Sequence, residues 1–453
     1  MKSKFHILRY TYIAAALLLA VGCNAWAAQR SKSTQKSQES AIESILTPSA
    51  PAPTTPEVTT PITICNEGVK IGFDRERLKY TDAAINRAIR NFQIPGAVLA
   101  IVRGDSIEYL KAYGNKQLEP SIERMTTNTI FDIASCTKPI VTALSAMILV
   151  DQGRLSLHDD LDLYFHDFND EAYDNKYSSK IRVKHLMTHT SGLVSYVNTK
   201  KLEETYETVN RDSLVDYIMT EKRRSAPNTK FKYSCINYIL LQYIIEDITG
   251  ETLQEFAKKN IFDLLGMKES DFITLAPETL KPHDDTKLDI KRIAPTEYSK
   301  EDSCYLHGVA HDPLARKINN GVSGNAGLFT TATDLAILAS ALLNDGEYKG
   351  KRVLSPLAVK AMRGAPRDAE ELGRSLGWDI FSPYASSKGD LLSDDALTHT
   401  GYTGSAITID TENDIAIILL TNYIHQKHHS ARDIVRLRSL VANSIASAIR
   451  FEE

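Results

Sequence analysis

Apolar residues recur with two different periods along this chain, and the two periods occupy different regions. From Arg75 to Asn91 the spacing is that of an amphipathic helix, whereas Ala97 to Val102 and Ser106 to Tyr113 read as a strand pair turned at Gly104 and Asp105. The far end supplies the complement. Ser375 to Phe381, Ala406 to Asp410 and Ile415 to Thr421 read as strands, and Ala431 to Ile449 reads as a terminal helix. Helical patterning prevails between them, from about residue 135 to 345. There Ile140, Leu144, Met147, Ile148 and Val150 mark an amphipathic helix from about Ser135 to Gly153. This order predicts an α+β fold, with an antiparallel sheet built from both chain ends and flanked by helices, plus a mainly helical subdomain. A site shared by the two parts would lie in the cleft between them.

The first 64 residues follow neither period. Met1 to Tyr12 carries Lys2, Lys4 and Arg9, and the apolar run Ile13 to Gly22 behind it is too short to span a membrane comfortably, which is the pattern of a secretory signal. Two cleavage readings stay open. Ala20, Val21, Gly22 and Cys23 resemble a lipoprotein box, which would leave Cys23 as a lipidated membrane tether, while Ala25, Trp26 and Ala27 form an A-x-A site that would close a signal peptide over residues 1–27. Residues 28–64 are rich in Ser, Gln, Thr and Pro and read as a disordered linker, so the folded domain is expected over 65–453. The expected location is the periplasm or cell envelope.

Composition narrows the partners. With 453 residues, 43% hydrophobic content and a net charge of −4, the chain can bury a large core and is not built for nucleic acid. Five cysteines stand at 23, 65, 136, 235 and 304. Cys136 and Cys235 are read as free buried thiols rather than as a bridge, and neither has the flanking pattern of a thiol protease.

Candidate chemistry begins at Ser135 and Lys138. Pro139 confines the helix start to their neighbourhood, and residues three apart share one helix face, so the Lys138 amine can reach the Ser135 hydroxyl. A lysine partly desolvated there can accept a proton. S-x-x-K alone is a weak pattern. Two further segments give it context: Phe231 to Tyr238 (FKYSCINY), leading into a helical stretch, and His399 to Gly404 (HTGYTG), opening an alternating run. In order and spacing the three resemble the active-site motifs of the serine β-lactamase and penicillin-binding protein superfamily, in its class C-like branch. Leu186 to Leu193 (LMTHTSGL), His307 to Ala315 (HGVAHDPLA), Gly321 to Thr331 (GVSGNAGLFTT) and Leu376 to Trp378 (LGW) extend the resemblance over about residues 75 to 450.

The resemblance implies a serine hydrolase that works through an acyl-enzyme and needs no cofactor or metal. Ser135 would be the nucleophile, Lys138 its base and Tyr233 a general acid and base. The backbone N–H groups of Ser135 and Tyr402 would form the oxyanion hole, and His399, Thr400 and Gly401 would contact substrate, with Gly401 allowing its close approach. Two positions depart from the family. His399 replaces a common lysine and is expected to titrate near neutral pH, and Cys235 replaces an asparagine that contacts the substrate's acylamide. Asn325 stands where close relatives often have histidine. The implied substrates are a peptidoglycan peptide, as for a D-alanyl-D-alanine carboxypeptidase, or a small-molecule ester, with β-lactams third. From another class, the alternative is a catalytically silent protein that binds wall peptides.

Other residues carry plainer readings. Asn237 reads as a helix-start residue, and His189 to Gly192 as a capped turn after a short helix from Val183 to Met187, which removes Ser191 as nucleophile. His307, His311, Asp312, His425, His428 and His429 match no ligand spacing for a metal. Of Tyr196, Trp378 and Tyr402, only Tyr402 is placed to line the cleft.

Overall fold

The computed structural model describes residues 72–165, 180–276, 281–426 and 430–450. The signal segment, the linker, Cys23, Cys65, His428 and His429 lie outside the described residues. The chain divides into Met1–Pro61 and Ile62–Glu453, and every described residue belongs to the second unit.

Both chain ends contribute to one antiparallel sheet, as the strand patterning predicts. Strands β1 (Gly96–Arg103), β2 (Ser106–Gln117) and β3 (Glu123–Arg124) come from the N-terminal side. Short strands β4 (Phe131–Asp132), β5 (Asp271–Phe272) and β6 (Leu328–Thr330) form a separate three-stranded sheet in the order β4-β6-β5. From the C-terminal side, β7 (Leu397–Thr400), β8 (Ala406–Asp410) and β9 (Ile415–Leu420) complete the main sheet in the order β7-β8-β9-β1-β2-β3. The join between the two chain ends is the β1–β9 ladder, in which Val98 faces Leu420 and Val102 faces Ala416.

Every residue of β1 is buried, because each face of the sheet has its own cover. Ala97, Leu99 and Ile101 pack with Ile415, Ile417 and Leu419 against helices α1 (Arg75–Arg90) and α6 (Ala431–Ala446). The alternate residues Val98, Ala100 and Val102 turn to the helical region, which contains α2 (Leu144–Asp151), α3 (Val183–Met187), α4 (Cys235–Thr249) and α5 (Ala332–Leu343). Side chains alternate across a strand, so one strand feeds two cores.

Two expectations need correction. Ser375 to Phe381 is not a strand: Gly377 takes φ +107°, the Ser375 N–H bonds the Trp378 carbonyl, and only Asp379 bridges Thr398 on the sheet edge. The chain turns there because Gly377 abuts Ala143, leaving a Cβ no room. The second concerns the helix containing Ser135. It runs as a 3₁₀ turn (Ala134–Cys136), a π turn (Lys138–Ala143) and then α2, and it is covered on all sides rather than amphipathic, with Thr137, Lys138, Thr142 and Ser145 fully buried. Ala134–Asp151 is apolar and long enough to cross a membrane, but it is mostly buried, as the core helix of the domain.

Leu144 lies at 0% exposure on that helix. Leu144→Ala is expected to lower the unfolding free energy by about 3 kcal/mol, read from guanidinium denaturation, since the surrounding elements cannot collapse into the space.

Candidate active site

The start of the core helix is held in a strained conformation. Ala134, immediately before Ser135, has φ +46°, a region that residues with a Cβ rarely adopt. Asp132, itself buried, fixes it: one carboxylate oxygen accepts from the Ala134 N–H at 2.8 Å and the other from the His311 N–H at 2.8 Å. The Asp132 carbonyl accepts from the Thr403 hydroxyl at 2.7 Å, tying the turn to the loop beyond β7. Ser135 emerges half-buried, with its hydroxyl at the head of the helix.

Lys138 lies one turn on and is fully buried. Its Nζ donates to Ser135 Oγ at 3.0 Å and to the Asn325 carbonyl at 2.8 Å, lies 3.5 Å from Cys235 Sγ, and sits 5.0 Å from the centre of the Tyr233 ring. The Tyr233 hydroxyl lies in the same cluster, close enough for Lys138 and Ser135 to act on its ionisation. Burial is the largest influence on Lys138 and favours the neutral amine. Ionised Cys235 and Tyr233 would act the other way, and in alkali, where those anions form, the cluster keeps the lysine proton above its ordinary range. Burial also pushes Tyr233 and Cys235 up, so neither is an anion near neutral pH. What acts on Lys138 there is desolvation, opposed by the Asp312 carboxylate, and desolvation frees the amine to accept a proton. The set can pass a proton from Ser135 to Lys138 and on through Tyr233.

Tyr233 and Cys235 are positioned by the loop after α3. The Lys232 N–H donates to the His189 carbonyl at 2.9 Å, the Ser234 N–H to His189 Nδ1 at 3.1 Å, and the Cys235 N–H to the Ser195 carbonyl at 2.8 Å. Ser234 caps α4 and donates its hydroxyl to the Val194 carbonyl at 2.6 Å. His189 stacks within 4.3 Å of the Tyr233 ring and within 5.0 Å of Tyr238, at φ +57°. The expected capped turn is therefore present, and it anchors the second motif. Ser191 is buried and donates to the Asn237 carbonyl oxygen at 2.7 Å, while the Asn237 amide donates to the Leu186 carbonyl, so both residues serve the scaffold.

The third motif closes the site from the sheet edge. Gly401 crosses so near the nucleophile turn that a Cβ would sit 2.3 Å from the Ile133 carbonyl. The approach of the protein's own backbone thus by itself requires glycine here. Arg438 of α6 locks this loop, donating to the carbonyls of Gly401 (2.8 Å), Gly404 (3.1 Å) and Ser405 (3.1 Å). Tyr402 is 58% exposed and stacks on His311 with ring centres 5.2 Å apart. Trp378 is core, and Tyr196 is 39% exposed and lines a surface groove whose lining contains none of the catalytic side chains.

His399 corrects a further expectation. Its ring is buried, with Nδ1 against the Thr400 carbonyl at 3.1 Å. Burial first, then repulsion from Arg374 and Arg438, holds it well below the ordinary histidine value, so it is neutral near pH 7 instead of half-charged. The positive field at this end of β7 comes from those two guanidinium groups. Arg374 is fully buried beside Asp379, with which it pairs.

Sequence reading brought Ser135, Lys138, Tyr233, Cys235 and the His399 segment together, and the structure does gather them. It missed Asp132, Arg374, Arg438 and the Asn325 carbonyl. Arg438 had a legible signal, because it falls on the apolar stripe of α6 with Ile434, Val441 and Ile445. Asn325 carried none, since its backbone is what contacts Lys138; its side-chain oxygen accepts from Ser323 at 2.7 Å. Cys136, Cys235 and Cys304 are free thiols, and burial pushes Cys136 up to about 12. His425 spends both ring nitrogens on the backbone of Leu118 and Thr296, and His307 faces the Ile293 carbonyl.

The model of the family described as Beta-lactamase matches residues 82–441. The "N-acetylmuramyl-L-alanine amidase" of Bacillus subtilis (strain 168) is 31% identical over 374 residues, which is 78% of this chain and 82% of the relative. The "Putative D-alanyl-D-alanine carboxypeptidase" of Escherichia coli (strain K12) is 28% identical over 371 residues, covering 79% and 84%. Among solved structures, EstCE1, described as a hydrolase with promiscuous acyltransferase activity, superposes with a TM-score of 0.62 at 20% identity, covering 81% of this chain and 99% of its own. The octameric penicillin-binding protein homologue from Pyrococcus abyssi gives 0.59 at 21%, covering 82% and 78%. At those identities the structural likeness is one of fold.

Two outcomes are expected. Ring nitrogen shifts of His189 and His399 in NMR spectra should stay those of neutral imidazole from pH 8 to about 5.5, since both are held well below the ordinary value. Each group's contribution to stability is full above about pH 6.5 and is lost as the pH falls through the depressed folded value; a ring transition near 6.5 would contradict this. Gly401→Ala should slow Ser135 acylation about a hundredfold in burst kinetics, because the added Cβ pushes on the turn that aims Ser135.

Proposed function

The chain belongs to the beta-lactamase family and is a serine hydrolase, and on that premise we propose that it is an exported enzyme of the D-alanyl-D-alanine carboxypeptidase type, acting on peptidoglycan peptides. The observation that carries the reading is the 3.0 Å contact between Lys138 Nζ and Ser135 Oγ, with the Tyr233 ring centre 5.0 Å from the same Nζ. Two relatives named for cell-wall chemistry support the substrate class. Export rests on the basic start and apolar run of residues 1–22, and the box at Cys23 would supply a membrane tether.

In this mechanism Ser135 Oγ attacks the scissile carbonyl while its proton passes to the neutral Lys138 amine. The oxyanion is held by the backbone N–H groups of Ser135 and Tyr402. Tyr233, between Lys138 and the leaving group, returns the proton to the departing amine, and the same three groups then deliver water to the acyl-enzyme. Thr400 offers its hydroxyl to the substrate carboxylate in the positive field of Arg374 and Arg438.

A second reading, an esterase, is favoured by the Cys235 thiol and the neutral His399, which offer an amide substrate little beyond Thr400 for hydrogen bonding. A catalytically silent binding protein would leave the burial of Lys138 against Ser135 without a purpose.

The experiment is intact-mass spectrometry of the native protein and Ser135→Ala after incubation with a penicillin, an activated ester and an acyl-D-alanyl-D-alanine peptide. The expected result is a Ser135-dependent penicillin adduct with release of D-alanine from the peptide. Turnover of the ester alone would replace this reading with the esterase, and no reaction with any of them would favour the silent protein. Lys138→Ala should slow acylation by about 10²- to 10⁴-fold.

A further inference from the structure

The loop whose carbonyls hold the second motif has another face. Val194, Tyr196, Val197 and Tyr217 form the apolar part of a groove of about 530 Å³, and charged side chains form its rim. Three of these are cations, Lys201, Arg224 and Lys232, against one carboxylate, Glu221. Glu221 is shared: Lys201 approaches it at 3.2 Å, Arg224 at 3.4 Å, and the Tyr217 hydroxyl donates to it at 2.6 Å. Lys232 is exposed and makes no ion pair among the described residues. The rim thus keeps two positive charges in excess over an apolar floor, a combination suited to an aliphatic chain that ends in an acid.

This groove is joined to the catalytic cluster by three links. Lys232 directly precedes Tyr233. The groove residues Val194 and Ser195 give their carbonyls to Ser234 and Cys235. Tyr196 lines the groove while the charges of Asp312 and Cys235 act on its hydroxyl. The groove is thus built on the same segments that position Tyr233 and Cys235.

We propose that the groove is an anion-recognising subsite, which selects substrates whose acyl group carries a carboxylate several bonds from the scissile carbonyl. The proposal rests on the hydrolase reading and deepens it, by naming the charge that the acyl chain bears. The distal carboxylate would displace Glu221 as partner of Arg224 or take the free Lys232, with the chain lying over Val194 and Val197. Both cations act at partly exposed sites, so the preference is of modest size and sensitive to salt.

The test uses the full chain and two substrates of equal length: mono-p-nitrophenyl suberate with its distal carboxylate free, and the same ester with that carboxylate methylated. The ratio of their kcat/KM values should favour the acid by about tenfold at low salt, equivalent to about 1.4 kcal/mol. It should fall towards one at high salt and in the double variant Arg224→Gln, Lys232→Gln. A ratio near one in the native protein, or a ratio that survives the double substitution, overturns the proposal. Equilibrium titration with free suberate separates this from failure of the hydrolase reading. If neither ester is turned over yet suberate binds the native protein about tenfold tighter than the double variant, the groove stands and the hydrolase reading falls. Equal binding to the two removes the groove.

Discussion

A lysine amine kept out of water beside a serine hydroxyl is the constraint around which this protein is arranged. An ammonium ion in a dry site costs several kcal/mol unless it is paired, so the Lys138 position is tolerable only with polar contacts and an available neutral form. The Asn325 carbonyl at 2.8 Å, Ser135 Oγ at 3.0 Å and Cys235 Sγ at 3.5 Å supply those contacts without supplying a carboxylate. Burial of the helix on every side excludes the water that would otherwise solvate the charge. The π turn Lys138–Ala143 and the positive φ of Ala134 are local irregularities in the same stretch, and Asp132 holds the second of them from within the core.

The sheet and the helical region meet at this point, and each contributes what the other lacks. The helical region carries Ser135, Lys138, Tyr233 and the Asn325 carbonyl. The sheet edge brings His399 to Tyr402, pressed so closely on Ile133 that only glycine fits at 401. Arg438 then ties that edge to the terminal helix, so the last element of the fold stabilises the loop that closes the site. The family match over residues 82–441 includes Arg438. Fold alone does not choose a substrate, and on this scaffold the choice falls to Cys235, His399 and the groove beside Tyr196.

Much of this was legible in the residues. The continuous apolar runs Ala97–Val102 and Ile415–Leu420 marked the two central strands, and the helical period marked α1 and α6 to within a few residues. The three motifs located the catalytic set because their chemistry depends on side-chain type at fixed spacing. What escaped depended on tertiary context. Ser375 to Phe381 looks like a strand until Gly377 meets Ala143, and His399 looks titratable until its burial beside Arg374 and Arg438 is known. Lys138 reads as the end of an amphipathic pattern, although the helix that bears it has no solvent face. Periodicity reports one covered face, and a helix covered all round loses that signal.

The measurement that tests the central claim most directly is the single-turnover rate of Ser135 acylation by a neutral activated ester, followed from pH 5 to 10 in the native protein and in His399→Gln. If Lys138 is the base, the rate rises with pH through a single ionisation whose midpoint is the same in both proteins. An acid limb near 6.5 that disappears in His399→Gln would make the histidine the base and contradict the account.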